Sequence, residues 1–116
     1  MSDFNVLTKI SAFCDAVVKG RDERYGSFDD FAGNPQGKFS LYLCMMQLGE
    51  MSRYLSVDFE SAHDMEIFRR CRELKSMYEQ GIDSIDPATV WEAAKQTPEI
   101  KDFCERALAQ ERDRKS

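Results

Sequence analysis

Arg69, Arg70, Arg72 and Lys75 crowd into seven positions of a chain whose only histidine is His63. Four cations that close make a fixed positive field, able to hold a phosphate or an RNA backbone. The same four can form a solvated helix face offset by Glu66, Glu73 and Glu79, or a contact for a partner protein. Acid–base chemistry asks for more than charge. It needs a group that exchanges a proton near neutrality, and histidine is the usual choice. His63 stands ahead of the cluster and reads as a loop or helix-start residue. Serine, cysteine and aspartate are common in the chain, but without a second histidine-like base they define no nucleophilic triad.

Metal chemistry finds little support in the spacing. Cys14, Cys44, Cys71 and Cys104 are separated by 30, 27 and 33 positions, with no CxxC pair and no histidine beside them. Zinc sites use close ligand pairs, so no metal and no other cofactor is expected. Each cysteine falls on an apolar helical stripe, which fits buried free thiols in a reducing compartment. The chain shows no signal-peptide pattern and no apolar run of membrane-spanning length, so the expected location is the cytoplasm, with no membrane partner.

The elements that must position these side chains read as helices throughout. The chain has 116 residues, 42% apolar and 32% charged, which suits one globular domain over 1–116 with a modest core. Its net charge of −5 argues against binding nucleic acid through the whole surface, while leaving a local basic patch open. Val6, Ile10, Phe13, Cys14, Val17 and Val18 form one apolar helical face that ends near Gly26. Ser27 opens a loop or short turn, with Asp30 placed for a capping box. Asn34-Pro35 starts a second helix, Asn as cap and Pro at the first position. That helix is apolar nearly all round from Phe39 to Met46 and then narrows to Leu48, Met51 and Leu55. It belongs in the middle of a bundle, with Met45, Met46 and Met51 in the core or a dimer interface.

Gly49 interrupts this second helix at a cost of about 1 kcal/mol relative to alanine, so Gly49-Glu50 reads as a close contact with a neighbouring helix or subunit. A third helix presents Ile67, Cys71, Leu74 and Tyr78 on one face, with the arginines elsewhere. Asp86-Pro87 starts a fourth, with Ile85 and Val90 spaced as a hydrophobic staple and Trp91 and Ala94 on its buried face. Thr97-Pro98-Glu99 repeats the start signal for a last helix carrying Ile100, Phe103, Cys104, Ala107 and Leu108. The charged tail is expected to fray from about Glu111. The fold expected is an all-α, up-and-down bundle of four to five helices. The apolar Leu41–Met46 stretch also gives so small a bundle surface to hide, which favours a two-fold dimer.

Three stretches in order, SFDDFAGNP, LYLCMMQLGEMSRYLS and GIDSIDPATVWEAAKQTPEIKDF, resemble HepT-like proteins of the HEPN superfamily. Leu48-Gly49-Glu50 with Leu55 matches that family's Gly-Glu signature, and Ile85, Asp86, Val90 and Trp91 match its Asp-x-x-x-Val-Trp helix. Thr97-Pro98-Glu99 stands where the family has a proline-led last helix, often with a leucine before the proline. The likeness extends over about residues 4 to 108. It implies a helical bundle that dimerises around a polar cleft. Active members are metal-independent endoribonucleases and the toxin half of toxin–antitoxin pairs, neutralised by a small nucleotidyltransferase that adenylylates a tyrosine. In the cleft, Glu50 would orient a basic residue, or simply hydrogen-bond at the helix surface or interface.

The family's site is an arginine followed four to six residues later by a histidine, often with a tyrosine two further on. Histidine would move the proton of the RNA 2′-hydroxyl, and arginine would stabilise the crowded phosphate. This chain departs from that pattern. The nearest arginine before His63 is Arg53, too far back. Counting back without gaps from Trp91 puts Lys75 at the arginine position, Gln80 at the histidine and Ile82 at the tyrosine, with Arg72 beside them. A gapped register puts Arg70, Ser76 and Tyr78 there instead. Neither register contains a histidine, and losing the acid–base group typically costs about 10²–10⁴ in rate. The resemblance therefore implies a toxin–antitoxin component with weak or lost RNA cleavage, partnered by itself, by a nucleotidyltransferase and by RNA. Two other readings stand beside it, a non-catalytic, dimeric helical interaction or regulatory protein and a nucleotide- or small-ligand-binding bundle.

Overall fold

Side-chain caps mark where the helices begin. The computed structural model describes residues 2–81 and 86–115, side chains at 78, 114 and 115 excepted. Ser2 accepts from the Asn5 amide, Ser27 from Asp30, Asn34 from Gly37, Ser56 from Phe59 and Asp86 from Ala88, each satisfying an amide that the helix itself leaves free. The helices they open are α1 (Asp3–Arg24), α2 (Phe28–Ala32), α3 (Pro35–Ser52), α4 (Val57–Ala62) and α6 (Pro87–Lys95). A 3-10 turn over Met65–Phe68, capped by Asp64, runs directly into α5 (Arg69–Glu79), and α7 (Thr97–Lys115) closes the chain. Among the described residues every regular element is helical, so the all-α class holds.

The cap signals at Asn34-Pro35 and Asp86-Pro87 work as read. The start signal at Thr97-Pro98-Glu99 also holds, since α7 begins at Thr97, although the Thr97 hydroxyl donates backwards to the Ala94 carbonyl (2.6 Å) and closes α6. The staple between Ile85 and Val90 lies outside the described residues, as does Ile82. One difference is clear. α4 was not expected; Ser56 caps it and Asp58 and Glu60 suit its positive end. The charged tail from Glu111 is helical as well, α7 continuing to Lys115.

α1 and α7 pack side by side and antiparallel. Lys101 pairs with Asp15, while Thr8 and Ser11 share a groove with Leu108 and Arg112. α3 is the central helix, touching α1, α2, α5 and α6. Leu41, Tyr42, Met45 and Leu48 are buried there, against Ile10 and Cys14 of α1, Leu74 of α5 and Ile100 of α7 in one core cluster. The Tyr42 hydroxyl donates to the Leu74 carbonyl (2.8 Å), so this buried polar atom has a partner. Trp91 is half-buried at the edge, 5.0 Å from Phe31 and 6.4 Å from Tyr25, centroid to centroid.

Gly49 is the tightest point between α3 and α5. A methyl group on its α-carbon would stand 2.6 Å from the Cys71 carbonyl oxygen and 2.9 Å from the Arg72 nitrogen. The close contact expected at Gly49-Glu50 is therefore with a neighbouring helix of the same chain. It brings the backbone of α5, and with it the basic cluster, directly onto α3.

Candidate functional site

Gly49 sets the height of α5 over the end of α3, and the side chains beyond it then meet in a fixed order. Arg72 lies inward. Its Nε donates to the Ser52 hydroxyl (2.8 Å), and one terminal nitrogen reaches both the Ser52 carbonyl (3.2 Å) and Glu60 (3.2 Å). Ser52 is fully buried and passes its own proton to the Gly49 carbonyl (2.6 Å). Arg72 thus closes the loose end of α3 and ties it to α4, a structural use that consumes most of its donor fork. Lys75 faces Glu50 at 3.7 Å, and Glu50 is shared with Arg53 at 3.4 Å. Glu50 does meet a basic residue, as one of the two sequence readings expected.

Arg69 is held by Glu66 and by Glu73 (3.1 Å), and these hydrogen-bonded carboxylates, Glu66 foremost, raise the pKa of its guanidinium. The local neutralisation expected from Glu66 and Glu73 is realised here. Arg70 is exposed and makes no ion pair among the described residues. Arg69, Arg72, Glu73 and Ser76 share a shallow depression of about 460 Å³ with Arg53. Ser76 and Gln80 are exposed, Gln80 at the turn where Gly81 leaves α5 with φ +114°. The Tyr78 side chain lies outside the described residues. The structure therefore gathers Arg53, Arg69, Arg72 and Ser76, with Lys75 and Glu50 alongside. Among the described side chains there it places no group that titrates near neutrality.

His63 lies outside this depression, at the C-terminal cap of α4; of the loop or helix-start reading, the helix start is not where it falls. Its ring stacks on Phe59 at 4.0 Å and meets Phe103 edge-on. Nδ1 sits 3.0 Å from the Phe59 carbonyl, which can only accept, so Nδ1 donates; Nε2 faces the Gln110 carboxamide at 3.3 Å. A groove of about 840 Å³ between α7 and the start of α5 is lined by His63 together with Arg69, Arg70, Arg106, Asp102 and Glu99 among others. Sequence spacing gave no pairing of His63 with Arg70, yet the fold puts both in one groove. Asp64, Glu66, Glu99 and Asp102 outnumber Arg69, Arg70 and Arg106 in that lining, so the groove is not an attractive bed for a polyanion. With Nδ1 donating to the Phe59 carbonyl, Nε2 is the ring position that keeps a lone pair, and it faces the exposed Gln110.

Cys14, Cys71 and Cys104 are buried, and burial pushes each thiol up to about 12. Cys44 is half-buried and also raised by burial, with Arg24 pulling it partly back. Such thiols are poor nucleophiles. Among the described residues, no group of three or more His, Cys, Asp or Glu side chains is placed to hold a metal ion, and no helix is long and apolar enough to cross a membrane.

The tertiary partners of Arg72 were missed by the sequence reading. Ser52 and Glu60 stand 20 and 12 positions away, beyond any local helical spacing. Compared with known proteins, the chain matches no family model, no curated protein and no solved structure.

Proposed function

We propose that this chain is a HepT-like component of a toxin–antitoxin pair that acts by binding rather than by cutting RNA. The reading rests on the ordered likeness of the three stretches quoted above. An all-helical bundle with helix starts at Asn34-Pro35 and Asp86-Pro87 is compatible with it. The observation that carries the loss of cleavage is the fate of Arg72, whose guanidinium is turned inward onto Ser52 and Glu60. Around it, Lys75, Gln80, Ser76 and Arg70 offer charge and hydrogen bonds but no acid–base group. RNA would be held on this face weakly, since Arg69, Arg72 and Lys75 each already face a carboxylate. The partner would be a small nucleotidyltransferase, and the chain itself a two-fold dimer.

A second reading, a non-catalytic dimeric interaction protein outside any toxin–antitoxin pair, draws on a different observation. Phe39 and Leu43, one helical turn apart on the otherwise central α3, are each 38% exposed. Two large apolar side chains on one stripe suit a partner helix or a second copy.

The test is expression of the protein alone, with and without the neighbouring reading frame. The proposal expects normal growth, intact RNA and co-purification with a small nucleotidyltransferase that carries Gly-Ser and Asp-x-Asp. Growth arrest with RNA decay would overturn the loss of cleavage. Absence of any nucleotidyltransferase partner would favour the second reading.

A further inference from the structure

On another face, the end of α1 meets the first turns of α3 around a pocket of about 320 Å³ lined by Arg24, Tyr25, Asn34, Gln36, Gly37 and Ser40. None of these six is a carboxylate. Arg24 is exposed and has no ion-pair partner among the described residues, in contrast to Arg69, Arg72 and Lys75 on α5. Tyr25 is steered into the pocket by aromatic packing, edge-on to Phe31 at 5.3 Å and to Trp91 at 6.4 Å. Its hydroxyl then lies over Gly37, so close that a methyl group on that residue would be 1.8 Å from the phenol oxygen. Glycine inside a helix costs about 1 kcal/mol against alanine, and here its bareness is what admits the phenol. The amino end of α3 would make no site alone. What distinguishes this pocket is an uncompensated guanidinium from α1 beside a phenol, a serine hydroxyl and two carboxamides.

We infer that the pocket formed by Arg24, Tyr25, Asn34, Gln36 and Ser40 binds a phosphate monoester. A guanidinium offers paired donors that match two oxygens of a phosphate, and the neutral hydroxyl and amide groups can donate to the third. No carboxylate lines the pocket itself, so none competes directly for the Arg24 guanidinium there. The volume sits at the low end of small-molecule sites, large enough for a phosphate with its first sugar. The inference is independent of the HepT-like reading, since it uses no residue of α5.

The test is an amide and arginine side-chain NMR titration of the whole chain at fixed ionic strength. The probes are inorganic phosphate, adenosine 5′-monophosphate, adenosine and acetate. Saturable shifts at Gly37, Ser40 and the Arg24 Nε are expected with phosphate and with the monophosphate, and none with adenosine or acetate. Tighter binding of the monophosphate would assign the ester, and equal binding would assign the free anion as a sufficient ligand. Arg24→Gln should weaken binding about tenfold or more, the value of a charge-assisted hydrogen bond. Tyr25→Phe should weaken it a few-fold while keeping its ring contacts, and Arg70→Gln should change nothing. Because Arg24 is exposed and makes no ion pair among the described residues, its variant should keep the fold, which circular dichroism checks. No saturable shift at millimolar phosphate, equal response to acetate, or unchanged binding in Arg24→Gln would each overturn the inference.

Discussion

Gly49→Ala tests whether the seat of α5 on α3 is as tight as the geometry says. The added methyl would lie 2.6 Å from the Cys71 oxygen, 2.7 Å from the Cys71 carbon and 2.9 Å from the Arg72 nitrogen. These are backbone atoms of a packed helix, so no side chain can swing aside. Ordinary carbon–oxygen contact requires the two helices to part by about 0.8 Å at that point, given well depths that fall steeply inside about 3.5 Å. Overpacking of this kind costs about 1–3 kcal/mol, and a backbone-to-backbone clash belongs at the upper end. Alanine returns about 1 kcal/mol through helix propensity, leaving a net loss of about 2 kcal/mol. The Tyr42–Leu74 and Arg72–Ser52 hydrogen bonds, both 2.8 Å across the same pair of helices, would be stretched as well.

The control is Gly20→Ala, a glycine in α1 with no atom within 4 Å of the position its methyl would take. It should be neutral or stabilise by up to about 1 kcal/mol. Urea unfolding of the two variants beside the parent reads both effects, with the midpoint interpreted only where the slope is unchanged. Gly49→Leu should be worse than Gly49→Ala. A Gly49→Ala variant as stable as the parent would refute the close seating of α5, and with it the inward placement of Arg72.

Arg72→Ala should destabilise by about 2–3 kcal/mol in the same assay, because it strips partners from buried Ser52, whereas exposed Arg70→Ala should stay within about 0.5 kcal/mol. The buried cysteines predict a loss of stability in base. Native Cys14, Cys71 and Cys104 keep their protons to about 12, while the unfolded thiols lose theirs near 9. The unfolded chain therefore binds fewer protons above pH 9, and stability should fall from there toward pH 12 by up to about 4 kcal/mol per pH unit for three thiols, with no effect of these groups below pH 8. Cys71→Ala should make that slope shallower by about 1.4 kcal/mol per pH unit. In a native alkylation time course at neutral pH, Cys44 should react first and the other three only on unfolding. Any RNA affinity should fall with added salt, measured by anisotropy of a labelled oligonucleotide.

Local chemistry was legible in the sequence, and long-range chemistry was not. Asn34 and Asp86 announce their helices because a cap acts on amides two or three residues away. Of the stripe of Ile100, Phe103, Cys104, Ala107 and Leu108, all but the partly buried Phe103 are buried as its periodicity says. Gly49 stood out because glycine in a helix needs a reason, and the reason is the Cys71 carbonyl. α4 carried a readable signal, Ser56 followed by Asp58 and Glu60, which the apolar run ending at Leu55 obscured. Trp91 was expected in the core; it is half-buried, packed between buried Phe31 and exposed Phe28 at the edge of the core. In the candidate site, the pairing of Arg69 with Glu66 and Glu73 follows helical spacing. The turn of Arg72 toward Glu60, the link of Lys75 to Glu50 and the meeting of His63 with Arg70 in one groove depend on how helices pack. No spacing within one helix encodes them.

We propose that the basic face of α5 holds RNA without cutting it. Incubating the purified protein with a fluorescently labelled single-stranded RNA in the presence of a chelator, from about pH 5 to 9, tests it directly. A general acid or base at work would show as a pH-dependent rate within that range. The account predicts cleavage no faster than in buffer, for the parent and for Arg72→Ala alike. Cleavage with a pH optimum near neutrality that disappears in Arg70→Ala or His63→Ala would contradict it.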